Sequence, residues 1–251
     1  MKKFLFADLD DTLFQTIQKC RPSSDLRPAA YLKDGVVCSF TTKSQRSLLD
    51  WMTNGATLIP TTARNKDALD RVCIPFSSYS IIDYGGIVLE PGGAVDQEWL
   101  DLMHADMSLA QGGLTEIRDA IGDWIGCHHL PCRVRLIEDF GLPFYVVVKD
   151  SEGQPERLRS IEELVVGPWL KSGLGSGFVA YRNANNLAIL PPSLNKARAV
   201  IHVCERLRLE HGEIMTAGMG DSLSDAKFLA FCDYAILPRN SQLSAFTIAA
   251  L

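Results

Sequence analysis

A chain of 251 residues, 47% of them hydrophobic, can bury a substantial core as one large domain or as a core with a smaller companion. Its net charge of -5, with no basic run, makes nucleic acid and anionic membrane surfaces unexpected partners. The apolar start after Met1-Lys2-Lys3 is broken at Asp8, so neither a signal peptide nor a spanning helix is expected, and seven scattered cysteines fit reduced thiols in a cytoplasmic protein.

Residues 4–7 (Phe-Leu-Phe-Ala) form an apolar run that reads as a buried strand, and the run ends in Asp8-Leu9-Asp10-Asp11-Thr12. Side chains alternate along a strand, so Asp8 and Asp10 share a face while Asp11 points away and reads as a turn residue. In an open α/β sheet, ligands gather outside the carboxyl ends of the strands, which is where this pair stands. Residues 29–32 and 36–40 flank Lys33-Asp34-Gly35 and predict a hairpin directly after that strand. A helix is expected over 43–54, stopping at Asn54-Gly55, then a strand over 57–60. Thr61-Thr62-Ala63-Arg64 follow, and their hydroxyls and cation suit an anion such as phosphate. A short helix over 66–72 and a strand over 79–82 end at Tyr84-Gly85-Gly86, where the chain can leave this layer.

The middle of the chain has another rhythm. A helix is predicted from Glu98 into residues 117–125, interrupted near Gln111-Gly112-Gly113, then strands over 133–138 and 144–149, a helix over 157–171, and strands over 177–181 and 187–190. That order describes an antiparallel sheet with helices on one face. Arg133 and Arg135 share one sheet face by alternation, with Lys149 and Arg182 on neighbouring strands, but the sequence does not say which face each meets. Cys127-His128-His129-Leu130-Pro131-Cys132 offers soft ligands, yet four ligands so close in sequence surround a zinc ion poorly, and a turn with thiols is the simpler reading. Trp99, Trp124 and Trp169 read as packing residues.

Past Pro191-Pro192, Lys196 is placed at the start of a helix, where the cation and the helix N-terminus both favour an anion. A further strand, over 214–217, runs into Gly218-Met219-Gly220-Asp221-Ser222-Leu223-Ser224-Asp225. A helix starting near Ser222 would turn Asp225 back towards the mouth where Asp221 stands. Several carboxylates meeting at one place call for a hard divalent cation, and Mg²⁺ suits such oxygen ligands.

Taken in order, Asp8-x-Asp10-x-Thr12, Thr62-Ala63-Arg64, Lys196 and Gly220-Asp221-Ser222-x-x-Asp225 resemble the haloacid dehalogenase superfamily of phosphohydrolases, in its Cof-like, sucrose-phosphatase-like branch with a type IIB cap. Ala63 stands where that branch usually has Gly, and Ser224 where Asn commonly precedes the last Asp. The resemblance implies an α/β fold: a Rossmann-like three-layer core with a parallel sheet over residues 1–85 and 186–251, and an inserted α+β cap over 86–185. It also implies a Mg²⁺-dependent phosphomonoester hydrolase for a small phosphorylated metabolite, most plausibly a sugar phosphate. A phosphomutase on the same scaffold and a metabolite-binding partner protein are the alternatives. By that resemblance Asp8 is the nucleophile that forms an aspartyl-phosphate and Asp10 the general acid and base. Thr62, Lys196 and Arg64 hold phosphate, and Mg²⁺ sits between Asp8, the Asp10 carbonyl, Asp221 and Asp225, the last acting through water or by fixing Lys196.

Overall fold

The computed structural model describes residues 1–22, 25–183 and 186–247. In chain order it contains β1 (Lys2–Ala7), the hairpin β2 (Arg27–Tyr31) and β3 (Val37–Thr41), α1 (Lys43–Thr53), β4 (Thr57–Pro60), α2 (Lys66–Leu69), β5 (Ser80–Ile82) and β6 (Ile87–Leu89). Then come α3 (Gln97–Cys127), β7 (Cys132–Asp139), β8 (Leu142–Asp150), α4 (Pro155–Ile161), α5 (Gly167–Leu170), β9 (Val179–Arg182) and β10 (Asn186–Leu190). The chain closes with α6 (Lys196–His211), β11 (Ile214–Met219), α7 (Ala226–Phe231), β12 (Tyr234–Ile236) and α8 (Gln242–Thr247). These elements form two compact units, one of Met1–Leu100 with Lys196–Leu251, the other of Asp101–Asn195.

In the first unit a four-stranded parallel sheet runs in the order β12-β11-β1-β4. Parallel strands lie under helices on both faces, so their sequences are apolar runs without alternation, and β1 has Phe4, Leu5, Phe6 and Ala7 all buried. Ala7 lies opposite both Met219 and Pro60, so β1, β4 and β11 end level with one another. That register brings Asp8, the Thr61-Thr62 loop and Gly220-Asp221 to the same sheet edge. The edge is knitted further: the Asp8 amide donates to the Met219 carbonyl at 2.8 Å and the Thr61 amide to Ala7 at 2.8 Å.

Local sequence accounts for the supporting parts. Thr42 caps α1, its hydroxyl accepting from the Gln45 amide while the Gln45 side chain accepts from the Thr42 amide. Asn65 caps α2 by accepting from the Ala68 amide. The hairpin expected after β1 is present as β2 and β3, paired antiparallel. Asp11, the expected turn residue, takes a left-handed φ of 62° and pairs with Lys19.

The second unit is an antiparallel sheet of order β7-β8-β10-β9 with helices. β10 is an inner strand of it, between β8 and β9, and the unit runs on to Asn195. Register settles the cationic residues. Arg133 lies opposite Lys149, and both are exposed with Arg135 on one face. Arg182 falls on the opposite face, with Val134, Val148 and Leu187, and is paired to Glu162.

One expectation fails here. The helix is not interrupted at Gly112-Gly113: α3 is a single helix of 31 residues. A Cβ on Gly113 would stand 3.0 Å from the Phe178 ring and 3.1 Å from the Leu174 carbonyl. The glycine is there for close packing, a reason that a helix-breaking propensity cannot reveal. The Cys127 to Cys132 turn is likewise spent on local contacts. The His128 ring stacks on Trp124 at 3.9 Å with its Nδ1 2.9 Å from the Trp124 carbonyl, and Cys132 Sγ donates to Asp150. Trp169 packs edge-on against Phe178 and donates its indole N–H to Glu116. No helix among the described residues is long and apolar enough to cross a membrane.

Candidate active site

Lys196 is the first residue of α6, and its side chain reaches the level strand ends of the first unit. Its Nζ donates to Asp8 Oδ1 at 2.6 Å and to Asp225 Oδ1 at 2.7 Å, and all three residues are buried, with relative exposures of 2%, 6% and 0%. Asp221 joins them: ligand atoms of Asp8, Asp221 and Asp225 lie within 4.8 Å of one another, the one such cluster among the described residues. Thr12, the last residue of the first motif, donates its hydroxyl to Asp221 at 3.4 Å.

Asp225 gets there by a different route from the one expected. α7 begins at Ala226, so no helical turn projects Asp225 back. A tight turn does it: Asp225 Oδ2 accepts from the amides of Asp221 at 3.2 Å and Ser222 at 3.0 Å and from the Ser222 hydroxyl at 2.9 Å. The turn closes on Gly220, where any Cβ would stand 2.6 Å from that of Asp225. Ser222 belongs to the last motif, but sequence reasoning assigns it no role of its own; its amide and hydroxyl are what hold Asp225 in place. Both Asp225 oxygens are thus engaged, which fits a carboxylate that fixes Lys196 better than one that ligates directly.

The electrostatics follow from crowding. Burial pushes the Asp8 carboxyl well above its ordinary range, Lys196 opposes this, and Asp225 and Asp221 add to it. Burial and then the Asp225 carboxylate raise Asp221 to about 7. For Lys196, burial acts to lower the pKa, but Asp225 and Asp8 outweigh it and hold the ammonium above its ordinary value. Three carboxylates share one ammonium, so the cluster is short of positive charge. A divalent cation with hard oxygen preference fits that deficit.

Asp10 and Arg64 form a second pair. Arg64 Nε donates to Asp10 Oδ2 at 2.7 Å and Nη2 to Oδ1 at 2.8 Å, while Nη1 donates to the Ala68 carbonyl at 3.3 Å and the guanidinium lies 5.1 Å from the Phe14 ring centroid. The Asp10 side chain is half exposed and outside the acidic cluster. Arg64, expected to hold phosphate, has its fork turned to a carboxylate. Thr62 is buried; its hydroxyl accepts from the Arg64 amide at 3.1 Å and its carbonyl from the Tyr84 amide at 3.1 Å, so it shapes the loop that carries Arg64. Sequence reasoning passed over Tyr84, which follows β5 at the same edge; a large side chain inside a glycine-rich turn at a strand end was the visible sign.

No protein-family model matches the sequence, and no curated protein matches it. Solved structures match throughout the chain. The sucrose-phosphatase of Synechocystis, in complex with sucrose and phosphate, is 15% identical with a TM-score of 0.53, covering 100% of this chain and 88% of that one. IMP-nucleotidase of Plasmodium falciparum with bound IMP is 13% identical with a TM-score of 0.60, covering 100% and 69%. A haloacid dehalogenase-like hydrolase of B. subtilis is 14% identical with a TM-score of 0.50, covering 99% and 93%. At these identities the likeness is one of fold, and the chain has the fold of the haloacid dehalogenase-like hydrolases.

Proposed function

We propose that the protein is a Mg²⁺-dependent phosphomonoester hydrolase acting on a small phosphorylated metabolite through an aspartyl-phosphate on Asp8. The observation that carries this is the buried Asp8–Lys196–Asp225 chain beside Asp221 at the level ends of β1 and β11. A structural ion pair has no need of a third and uncompensated acid. A phosphoryl site needs a carboxylate nucleophile, a fixed cation and charge to offset the phosphate dianion.

In this reading Asp8 attacks phosphorus in line with the departing alcohol, and Lys196, held by Asp225, stabilises the equatorial oxygens. Asp8 and Asp221, with the Asp10 carbonyl, would hold the cation, and Asp225 acts on it only through Lys196. Mg²⁺ bound there would offset repulsion between the nucleophile and the phosphate. Asp10 would give a proton to the leaving oxygen and then take one from the water that hydrolyses the acyl phosphate, a role that requires Arg64 to release one of the two Asp10 oxygens. Thr62 holds the loop at the phosphate. The segment inserted between β6 and α6 is assigned the role of a cap, and a cytoplasmic location fits the reduced-thiol composition.

The fold hosts a sucrose-phosphatase and an IMP-nucleotidase alike, so it does not select the leaving group. Sugar phosphates are the first class to test, with nucleoside monophosphates beside them. Phosphate release from such a panel, with and without Mg²⁺ and beside Asp8→Asn, decides the matter. Mg²⁺-dependent release that is lost in the variant establishes the hydrolase. Equal inactivity of both proteins over the panel would overturn it and favour transfer or binding.

A further inference from the structure

The turn after β5 is left-handed over three residues, with φ of 51° at Asp83, 57° at Tyr84 and 94° at Gly85. Glycine takes that conformation freely, but a bulky side chain held there costs about 1–3 kcal/mol and persists only where its surroundings dictate it. Here four hydrogen bonds do so. The Asp83 amide donates to the Arg64 carbonyl at 2.9 Å, the Tyr84 amide to Thr62 at 3.1 Å and the Gly86 amide to Asp83 at 3.0 Å. The buried Trp99 donates its indole N–H to the Gly85 carbonyl at 3.0 Å. Two of these bonds end on the loop that carries Thr62 and Arg64, so the strained turn is fastened to the site itself.

The Lys196 Nζ lies 6.0 Å from the centre of the Tyr84 ring and 5.9 Å from that of Phe228. Phe228 is wholly buried, whereas Tyr84 is partly exposed. Of the two rings beside the ammonium, Tyr84 is therefore the one towards solvent. An aromatic face near a dehydrated ammonium attracts it and keeps water from it.

We propose that Tyr84 is a positioning residue of the Lys196 centre: its ring, held by the left-handed turn, closes the solvent side of the ammonium so that Asp8 and Asp225 remain its partners. The shielding stands on the geometry alone, and its effect on turnover rests on the phosphatase reading.

The test measures water exchange of the Lys196 ammonium protons by ¹H–¹⁵N NMR, the signal being identified by its contacts to the Phe228 ring. The native protein is compared with Tyr84→Phe, Tyr84→Asn and Tyr84→Gly. Asn and Gly accept positive φ, so neither variant should unfold at lower urea on account of backbone strain. Exchange should be slow in the native protein and in Tyr84→Phe, and about tenfold faster in Tyr84→Asn and Tyr84→Gly, the measure of a desolvated cation–π contact. In parallel, kcat on p-nitrophenyl phosphate should fall in Tyr84→Asn. Exchange as slow in Tyr84→Asn as in the native protein overturns the proposal. A native protein that hydrolyses no phosphate ester yet shows the faster exchange in Tyr84→Asn overturns the phosphatase reading and leaves Tyr84 in its assigned place.

Discussion

Arg64 grips both oxygens of Asp10, Nε on Oδ2 at 2.7 Å and Nη2 on Oδ1 at 2.8 Å, across 54 residues of sequence. A two-pronged pair fixes the direction of a carboxylate as well as its distance, which a point cation cannot do. The Asp10 side chain is half exposed, so the value of the pair lies in orientation more than in stability. Arg64→Lys should leave the urea midpoint nearly unchanged and lower kcat on alkyl phosphates by about tenfold or more, since a positioned acid contributes about 10²–10⁴. With p-nitrophenyl phosphate, whose leaving group needs no proton, the loss in the bond-breaking step should be smaller. Equal losses on both esters would place Arg64 on the phosphate instead.

Lys196 is a buried cation between two buried carboxylates, and removing one partner from such a set leaves uncompensated charge. Lys196→Met should cost about 3–5 kcal/mol at neutral pH, read from urea unfolding. The folded pKa of Lys196 lies above its ordinary value, so its contribution is complete below that value and is lost only in strongly alkaline solution. The ammonium's own titration should therefore add no pH dependence between about 5 and 9. The cost in Lys196→Met should shrink towards pH 5 as the orphaned carboxyls take up protons. An unchanged midpoint in Lys196→Met would show that the ion pairs only break even with their desolvation.

How far this centre was legible depends on sequence distance. Asp8, Asp221 and Lys196 were readable because each stands one or two residues past an apolar strand or at a helix start, and strand ends in a parallel sheet gather at one edge. Asp10 with Arg64 was not, because alternation predicts a shared face for Asp8 and Asp10 only while the strand lasts, and β1 ends at Ala7. Beyond it the chain turns, and Asp11 at φ 62° ends the alternation. Asp225 was found for a wrong reason, since hydrogen bonding to a turn and not helical spacing aims it. Tyr84 escaped notice because a left-handed tyrosine is a property of its fastenings, three of which lie on other segments.

Burial and the Asp225 carboxylate raise Asp221 from 3.8 to about 7 in the metal-free protein. The folded form thus binds a proton that the unfolded chain has released, so this stabilising contribution is complete below about pH 4 and is lost as the pH rises through about 7. Asp8, raised in the same direction, adds to it. Asp96, Asp150 and Asp233 are lowered, and their contributions, complete above the ordinary carboxyl range, do not change between pH 5 and 8. With a chelator present, the urea midpoint should be lower at pH 8 than at pH 5, and added Mg²⁺ should restore it at pH 8 and do little at pH 5, because binding must displace the proton. Midpoints at pH 8 that ignore Mg²⁺ would remove the acidic cluster as its site.

Two glycines of α3 separate packing from propensity. Gly126 has nothing within 4 Å of an added Cβ, whereas at Gly113 the new methyl would meet the Phe178 ring at 3.0 Å and the Leu174 carbonyl at 3.1 Å. Alanine in a helix is favoured over glycine by about 1 kcal/mol in either place. Gly126→Ala should therefore raise stability by about 0.5–1 kcal/mol. At Gly113 the same gain is opposed by overpacking of about 1–3 kcal/mol against an aromatic edge and a backbone oxygen that cannot both retreat. Gly113→Ala should accordingly lower the melting temperature while Gly126→Ala raises it, with circular dichroism at 222 nm as the readout. A rise in both would mean that α3 is free to shift from Phe178, and that the glycine at 113 serves flexibility after all.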